Sequence, residues 1–157
     1  MTTAAWRVRR AALGDLTSIL AIELGSVEAP QWGEAVWRGV LGDEEGSGIA
    51  RRCFVAESDG GVVGFAVVSC SFEVAELESV AVAEDVRRQG VGRAVCRAAM
   101  EWASEREAER IELEVRASSG GAQALYAELG FRELGRRRGY YREPVEDAVL
   151  MTAMLRC

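Results

Sequence analysis

The stretch Val80-Ala81-Val82-Ala83-Glu84-Asp85-Val86-Arg87-Arg88-Gln89-Gly90-Val91-Gly92-Arg93 decides how this chain folds. Apolar residues close a strand at Val82, and a polar loop rich in arginine follows. From Gly90 to about Arg106 the spacing predicts a long helix, with Val91, Ala94, Val95, Ala98 and Trp102 along one side. A strand that runs through such a loop into a helix N-terminus outlines an anion site. The first N–H groups of a helix have no intrahelical acceptor, and the helix dipole adds positive potential there. Gly90 and Gly92 let a ligand approach the backbone with no side chain in the way. Arg87, Arg88 and Arg93 add positive charge to an otherwise acidic chain. The Lys-Ser/Thr ending of a Walker A motif is missing, and Val95 stands where a dinucleotide fingerprint needs its third glycine. By themselves the two glycines also fit an ordinary tight turn.

Upstream, Trp6 to Arg10 reads as a first strand. Asp15 reads as the cap of a helix carrying Leu16, Ile19, Leu20, Ile22 and Glu23, ended by Gly25. A second helix is predicted from about Gly33 to Leu41, then a polar loop from Gly42 to Gly48. Arg52 to Glu57 and Val62 to Ser71 are strands joined by the hairpin signal Ser58-Asp59-Gly60-Gly61. Leu77 to Ala83 is the strand that enters the deciding loop. Downstream come a short strand, Ile111 to Val115, and a helix, Ser119 to Leu129, stopped by Gly130. Phe131 to Tyr140 and Ala148 to Leu155 form a closing pair of strands. The order predicts one α/β domain over residues 1–157 with a mixed sheet.

Composition narrows the chemistry. The chain has 25 acidic and 19 basic residues, a net charge of −6, and every basic residue is arginine. Lysine Schiff-base chemistry is therefore excluded, and direct nucleic-acid binding is not expected of so acidic a chain. Histidine is absent, which excludes Ser-His-Asp and Cys-His catalysis. Cys53, Cys70, Cys96 and Cys157 are widely separated, so no metal site is expected. The first three sit among apolar neighbours and read as core residues. A general base must then be a carboxylate, a tyrosine, a cysteine or a water chain. No apolar run approaches the roughly 20 residues that span a bilayer, and no signal-peptide stretch opens the chain, so a soluble cytoplasmic protein is expected.

The deciding segment resembles the acetyl-CoA signature of the GNAT acetyltransferases, Arg/Gln-x-x-Gly-x-Gly/Ala, met here by Arg87, Gly90 and Gly92. The resemblance implies a splayed, mostly antiparallel central sheet flanked by helices. It implies that Val80, Ala81 and Val82 hold the pantetheine arm of acetyl-CoA like an added strand. Arg87, Arg88, Gln89, Gly90, Val91, Gly92 and Arg93 would then cradle its pyrophosphate. The second half carries Leu113-Glu114-Val115-Arg116-Ala117-Ser118-Ser119, Ala124-Leu125-Tyr126 with Leu129-Gly130-Phe131, Arg137 to Tyr141, and Glu146-Asp147-Ala148. These resemble, in order, the patterns L-E-V-R-x-S-N, A-x-x-L-Y-x-x-L-G-F, R-x-x-Y-Y and E-D-A of the bacterial ribosomal-protein-alanine N-acetyltransferases. In the first half Ala21-Ile22-Glu23 and Ala29-Pro30-Gln31-Trp32 echo that subgroup's Ile-Glu and Pro-Trp elements.

Transferred by position, the resemblance implies Glu114 as general base and Tyr126 as general acid. It implies that Tyr140 and Tyr141 line the acceptor's N-terminus, with Glu78, among Glu73, Glu76 and Glu78, near its amine. Ser119 replaces the subgroup's cofactor-contacting Asn and offers only a hydroxyl. The residues alone leave other roles open. Glu112 shares a strand face with Glu114, which also suits an ion pair with an arginine. Tyr126 suits core packing beside Leu125 and Leu129, and the tyrosine pair suits hairpin packing. Glu73, Glu76 and Glu78 equally suit a solvated strand face. The implied acceptor is the N-terminal Ala of a basic ribosomal protein. A small-molecule amine, or a non-catalytic acyl-CoA-binding module, is the alternative.

Overall fold

The computed structural model describes residues 6–155 apart from Val27, residues 43–48 and Glu143. The strands are β1 (Arg7–Arg10), β2 (Ala50–Ser58), β3 (Gly61–Ser71), β4 (Val74–Val82), β5 (Arg110–Arg116), β6 (Arg132–Arg142) and β7 (Val145–Met154). The helices are α1 (Leu16–Leu24), α2 (Gly33–Leu41), α3 (Val91–Glu105) and α4 (Gly120–Glu128). One sheet contains every strand, in the order β1-β2-β3-β4-β5-β7-β6. All neighbours are antiparallel except β4 and β5, which run parallel. That parallel ladder pairs Val74 with Arg110, Ala75 with Ile111 and Glu76 with Glu112, then stops. Beyond it β4 and β5 diverge, and a wedge opens in the middle of the sheet. This is the splayed sheet that the sequence led us to expect.

Strand alternation sends apolar side chains to both faces. On one face Val68, Cys70, Ala75, Leu77, Ile111 and Leu113 pack against Val91, Val95 and Ala99 of α3 and Tyr126 of α4. On the other, Val55, Phe65, Val67 and Ala81 pack against Ile19 and Ile22 of α1 and Trp37 of α2. In β4 an irregularity changes the phase. Val67 pairs with Ser79 and Val68 with Leu77, so Glu78 is an extra residue, a β-bulge. Past it, Ser79 and Ala81 face α1 and α2, while Val80 and Val82 turn to the α3 side.

Two readings of local structure change. The strand read from Leu77 begins at Val74, because Glu76 and Glu78 occupy its polar face and the bulge breaks the period of two. Asp15 does not cap α1 by a side-chain hydrogen bond. Its carboxylate instead accepts from the Ala12 N–H and from Arg9 at 2.9 Å, closing the turn before the helix. Cys53, Cys70 and Cys96 are buried, whereas Cys157 and residues 43–48 lie outside the described residues. Among the described residues no helix is long and apolar enough to cross a membrane.

The connection between α1 and α2 is held from beneath by a buried carboxylate. Glu23, 2% exposed, accepts from the N–H groups of Trp32 (2.9 Å) and Gly33 (3.3 Å) and from the Trp37 indole (2.9 Å). Gln31 donates to the carbonyls of Glu23, Ser26 and Ala29. Trp37 in turn meets Phe65 edge-on at 4.9 Å. These contacts fix residues 28–31 beside the opened sheet. Glu23→Ala would leave three buried or part-buried donors without an acceptor. The expected cost is about 3 kcal/mol, a fall in Tm of roughly 6–12 °C by thermal unfolding.

Candidate active site

The wedge widens into two adjoining cavities of about 610 and about 410 Å³ that share Glu28, Ala29, Val80, Ala122 and Tyr126 in their walls. The smaller one follows the open edge of β4 to the N-terminus of α3. Ala83 donates to the Val63 carbonyl at 2.8 Å, so alternation points the backbone groups of Ala81 at β3 and those of Val80 and Val82 into the gap. Of the three residues read as a pantetheine-holding strand, two thus present hydrogen-bonding groups, and Ala81 supplies wall. The Val82 carbonyl accepts from Arg87 Nε at 3.1 Å. The same guanidinium reaches the Gly25 carbonyl (3.3 Å) and Ser26 Oγ (3.5 Å) and ties the loop to the end of α1.

Gly90 opens α3 at φ +91°, a left-handed conformation that favours glycine, and no side chain caps the helix. At Gly92 an added Cβ would lie 3.2 Å from Leu125 Cδ2, so a side chain there would narrow the floor beside the helix N-terminus. Arg93 pairs with Glu128 of α4. Ser119, at the start of α4, is 4% exposed, and its hydroxyl has no partner among the described residues. An open strand edge, an uncapped helix N-terminus and an unengaged buried hydroxyl suit the amides, phosphates and carbonyl of acetyl-CoA.

The larger cavity is lined by Glu76, Glu78 and Ser79 of β4, Glu114 and Arg116 of β5, and Tyr140 and Tyr141 of β6. Glu114 lies past the point where β5 leaves β4. The Tyr140 hydroxyl hydrogen-bonds to it, which is the main reason that phenol stands above its ordinary pKa. Arg137 lies 3.7 Å from the Glu114 carboxylate and 5.5 Å over the Tyr140 ring. Arg116 covers Tyr141 at 4.2 Å and bonds Glu146 at 3.0 Å. A second bulge aims this group: Arg137 pairs with Ala148 and Tyr141 with Glu146, leaving residues 138–140 against Asp147. Gly139 takes φ +59° there and donates to Asp147 at 3.0 Å. Tyr126 lines both cavities, 9% exposed, with Phe131 edge-on at 5.7 Å. Burial pushes its phenol far above the ordinary value, with smaller contributions from Cys96, Glu28 and Tyr141.

The sequence pattern of the Acetyltransferase (GNAT) family matches residues 22–131. The chain belongs to the GNAT family. As a GNAT enzyme it is an acetyl-CoA-dependent N-acetyltransferase. A putative [ribosomal protein bS18]-alanine N-acetyltransferase of Bacillus subtilis is 30% identical over 144 residues, 92% of each chain. The crystal structure of the ribosomal-protein-S18-alanine N-acetyltransferase from Escherichia coli matches with a TM-score of 0.81 at 29% identity, over 98% of this chain and 96% of that one. Arabidopsis thaliana NAA60, solved in complex with acetyl-CoA, shares the fold at 16% identity, with a TM-score of 0.82 over 96% of this chain and 98% of that one.

Within this GNAT cleft the carboxylates separate. Glu78 is held by Arg51 in two hydrogen bonds of 2.6 and 2.9 Å, and Glu112 by Arg110 at 3.1 Å. Glu112 also sits where β4 and β5 still pair, whereas Glu114 enters the cavity. Glu73 lines neither cavity. Two lining residues had no signal in the sequence. Ser79 reaches the cleft through the bulge, and Glu28 through the clamped α1–α2 connection. Among the described residues no cluster of side chains is placed to hold a metal ion.

The Tyr126 phenol has a consequence for alkaline stability. Its folded-state pKa is raised, so the stabilisation is complete below the ordinary phenol pKa of about 10 and is lost as pH climbs above it. Titration followed at the phenolate absorbance should show Tyr126 ionising only as far-UV ellipticity collapses. Tyr126→Phe should remove that late step. Ionisation of Tyr126 in the folded protein near pH 10 would contradict this account.

Proposed function

We propose that the enzyme acetylates the N-terminal α-amine of a protein, an N-terminal Ala on a small-subunit ribosomal protein, with Glu114 as base and Tyr126 as acid. The observation that carries the reading is that Glu114 and Tyr126 line one cavity where the strands part. As the acceptor nitrogen bonds to the thioester carbon, Glu114 takes its proton. Tyr126, held protonated by burial, supplies a proton to the departing thiolate. Val80 and Val82 bind the pantetheine arm through their backbone. Arg88, Gln89, Gly90, Val91, Gly92 and Arg93 surround the pyrophosphate at the start of α3. Arg87 shapes that loop from within, and the Ser119 hydroxyl contacts the cosubstrate. Holding both substrates in one cleft contributes much of the rate.

The acceptor assignment draws on the larger cavity and on the relatives. The cavity is acidic and has an aromatic wall, Tyr140 and Tyr141, that suits a small N-terminal residue entering with a positive amine. The Bacillus subtilis and Escherichia coli relatives carry the names of bS18-alanine acetyltransferases. A ribosomal-protein acceptor places the reaction in the cytoplasm.

Acetyl transfer read by release of the CoA thiol tests the proposal on three acceptors: a basic peptide with free N-terminal Ala, the same peptide blocked, and small amines. Transfer to the free peptide alone is expected, and turnover confined to small amines would overturn the acceptor. Glu114→Gln should lower kcat by roughly 10²–10⁴ while leaving the calorimetric Kd for acetyl-CoA unchanged. Wild-type turnover in that variant would remove Glu114 as the base.

A further inference from the structure

The run Glu146-Asp147-Ala148 stands out in the sequence, yet acetyl transfer by Glu114 and Tyr126 gives it no part. Neither Glu146 nor Asp147 lines the cleft. Both lie at the start of β7, opposite the stretch of β6 that carries Tyr140 and Tyr141.

The β6–β7 ladder does not hold Tyr140. Pairing passes from Arg137 with Ala148 to Tyr141 with Glu146, and residues 138–140 between them are unpaired. β6 is also the outer strand of the sheet, so no strand supports it from the far side. Tyr140 is 46% exposed and gains little from packing. A three-residue excess in such a place has many conformations open to it, and each loses entropy when one is fixed. Whatever fixes this one must come from side chains.

Alternation sends Glu146 and Asp147 to opposite faces of β7, and each makes one such contact. The Asp147 carboxylate accepts from the Gly139 N–H at 3.0 Å. Gly139 is the left-handed turn of the bulge, and the next residue is Tyr140, whose hydroxyl meets Glu114. Glu146 accepts from Arg116 at 3.0 Å, and that guanidinium lies 4.2 Å over the Tyr141 ring. Tyr141 in turn stands edge-on to Tyr140, with ring centres 5.2 Å apart.

Both carboxylates are tied to the same base. The Ser118 N–H and hydroxyl each donate to Glu146 at 3.2 Å. The Asp147 carbonyl accepts from the Ala117 N–H at 3.0 Å. Residues 117–118 lead from β5 into α4 and directly precede Ser119. The Arg116 and Glu146 side chains are largely shielded from solvent, so their pairing is screened less than a surface ion pair. The tyrosine wall is therefore registered against the connection that delivers Ser119 and the helix of Tyr126.

We infer that Glu146 and Asp147 are positioning residues for the acceptor wall: Asp147 holds the bulge that turns Tyr140 onto Glu114, and Glu146 holds Arg116 over Tyr141. The inference rests on the acetyltransferase reading above. Neither carboxylate touches a substrate, and each acts through one tyrosine. Without Asp147 the bulge relaxes, Tyr140 leaves Glu114, and the base keeps Arg137 as its neighbour on β6. Without the Glu146 carboxylate Arg116 is free to leave the Tyr141 ring.

The first test is a pair of double-variant cycles on kcat/KM for the free peptide, read by CoA release. Asp147→Ala and Tyr140→Ala should each lose at least tenfold. Because one acts through the other, the double variant should lose no more than about twofold beyond Tyr140→Ala. Glu146→Gln and Tyr141→Ala should behave in the same way. Losses that multiply in either cycle overturn the inference for that carboxylate. Asp147→Asn keeps an acceptor for the Gly139 N–H and should recover kcat/KM to within about threefold of wild type, with the calorimetric Kd for acetyl-CoA unchanged in every Asp147 variant. A loss in Asp147→Asn as deep as in Asp147→Ala counts against the contact with Gly139.

The second test needs no acceptor. The chain has three tyrosines, so the ionisation of Tyr140 can be followed by NMR of ring-labelled protein. Tyr140 faces Glu114, Arg137 and Glu76, and its hydrogen bond to Glu114 is the main cause of its raised pKa. Asp147→Ala should bring that ionisation down toward the ordinary phenol value of about 10, and Asp147→Asn should not. An unchanged Tyr140 in folded Asp147→Ala overturns the role of Asp147. If wild type turns over only another amine, the acceptor proposal fails, and the Tyr140 ionisation still decides whether Asp147 aims that ring.

Discussion

A parallel ladder of three residue pairs holds β4 to β5, and the rest of the molecule is arranged around the place where it ends. A central strand that loses its neighbour leaves backbone donors and acceptors unpaired. Each costs on the order of 1–3 kcal/mol if buried without a partner. The fold meets this in two ways. Arg87 satisfies the Val82 carbonyl from within the loop, and the groups of Val80 and Val82 that face the gap stay accessible from the smaller cavity. The shortness of the ladder is therefore what creates a site that a ligand backbone can complete.

Two bulges then select which side chains enter that site. At Glu78 the extra residue rotates β4 by one position, so Ser79 joins Glu76 on the α1–α2 side while Val80 turns to α3. At residues 138–140 the excess in β6 turns Tyr140 onto Glu114 and brings Arg137 over both. The result is a site where like charges are crowded but mostly answered by arginine. An arginine pair stays charged across the working pH range, because guanidinium does not titrate there.

Much of this was legible in the chain. α2 falls at Gly33–Leu41 as its apolar spacing indicates, and the loop into α3 is marked by Arg87, Gly90 and Gly92. Short-range periodicity suffices there because each element buries one continuous stripe. The start of β4 was hidden because a bulge breaks the alternation that identifies strands. Local sequence also places Glu112 and Glu114 on one face without separating them. Their difference arises from where β4 departs, and that depends on residues more than 30 positions away. Arg87 reads as a phosphate ligand from its neighbours, and in the fold it lines the smaller cavity while also bracing the Val82 carbonyl and the end of α1. Glu28 and Ser79 had no signal, because one is delivered by the Glu23 clamp and the other by the bulge.

An exposed strand edge is also an invitation to aggregation, since it templates the addition of another chain. The open edge of β4 escapes this by being an interior edge. β5 flanks it on one side, and Ala122, Leu125 and Tyr126 of α4 wall the cavity along which it runs. With walls on both sides, this edge is less accessible to another polypeptide strand than an outer edge of the sheet would be. The break that makes the sheet receptive thus also guards it against self-association.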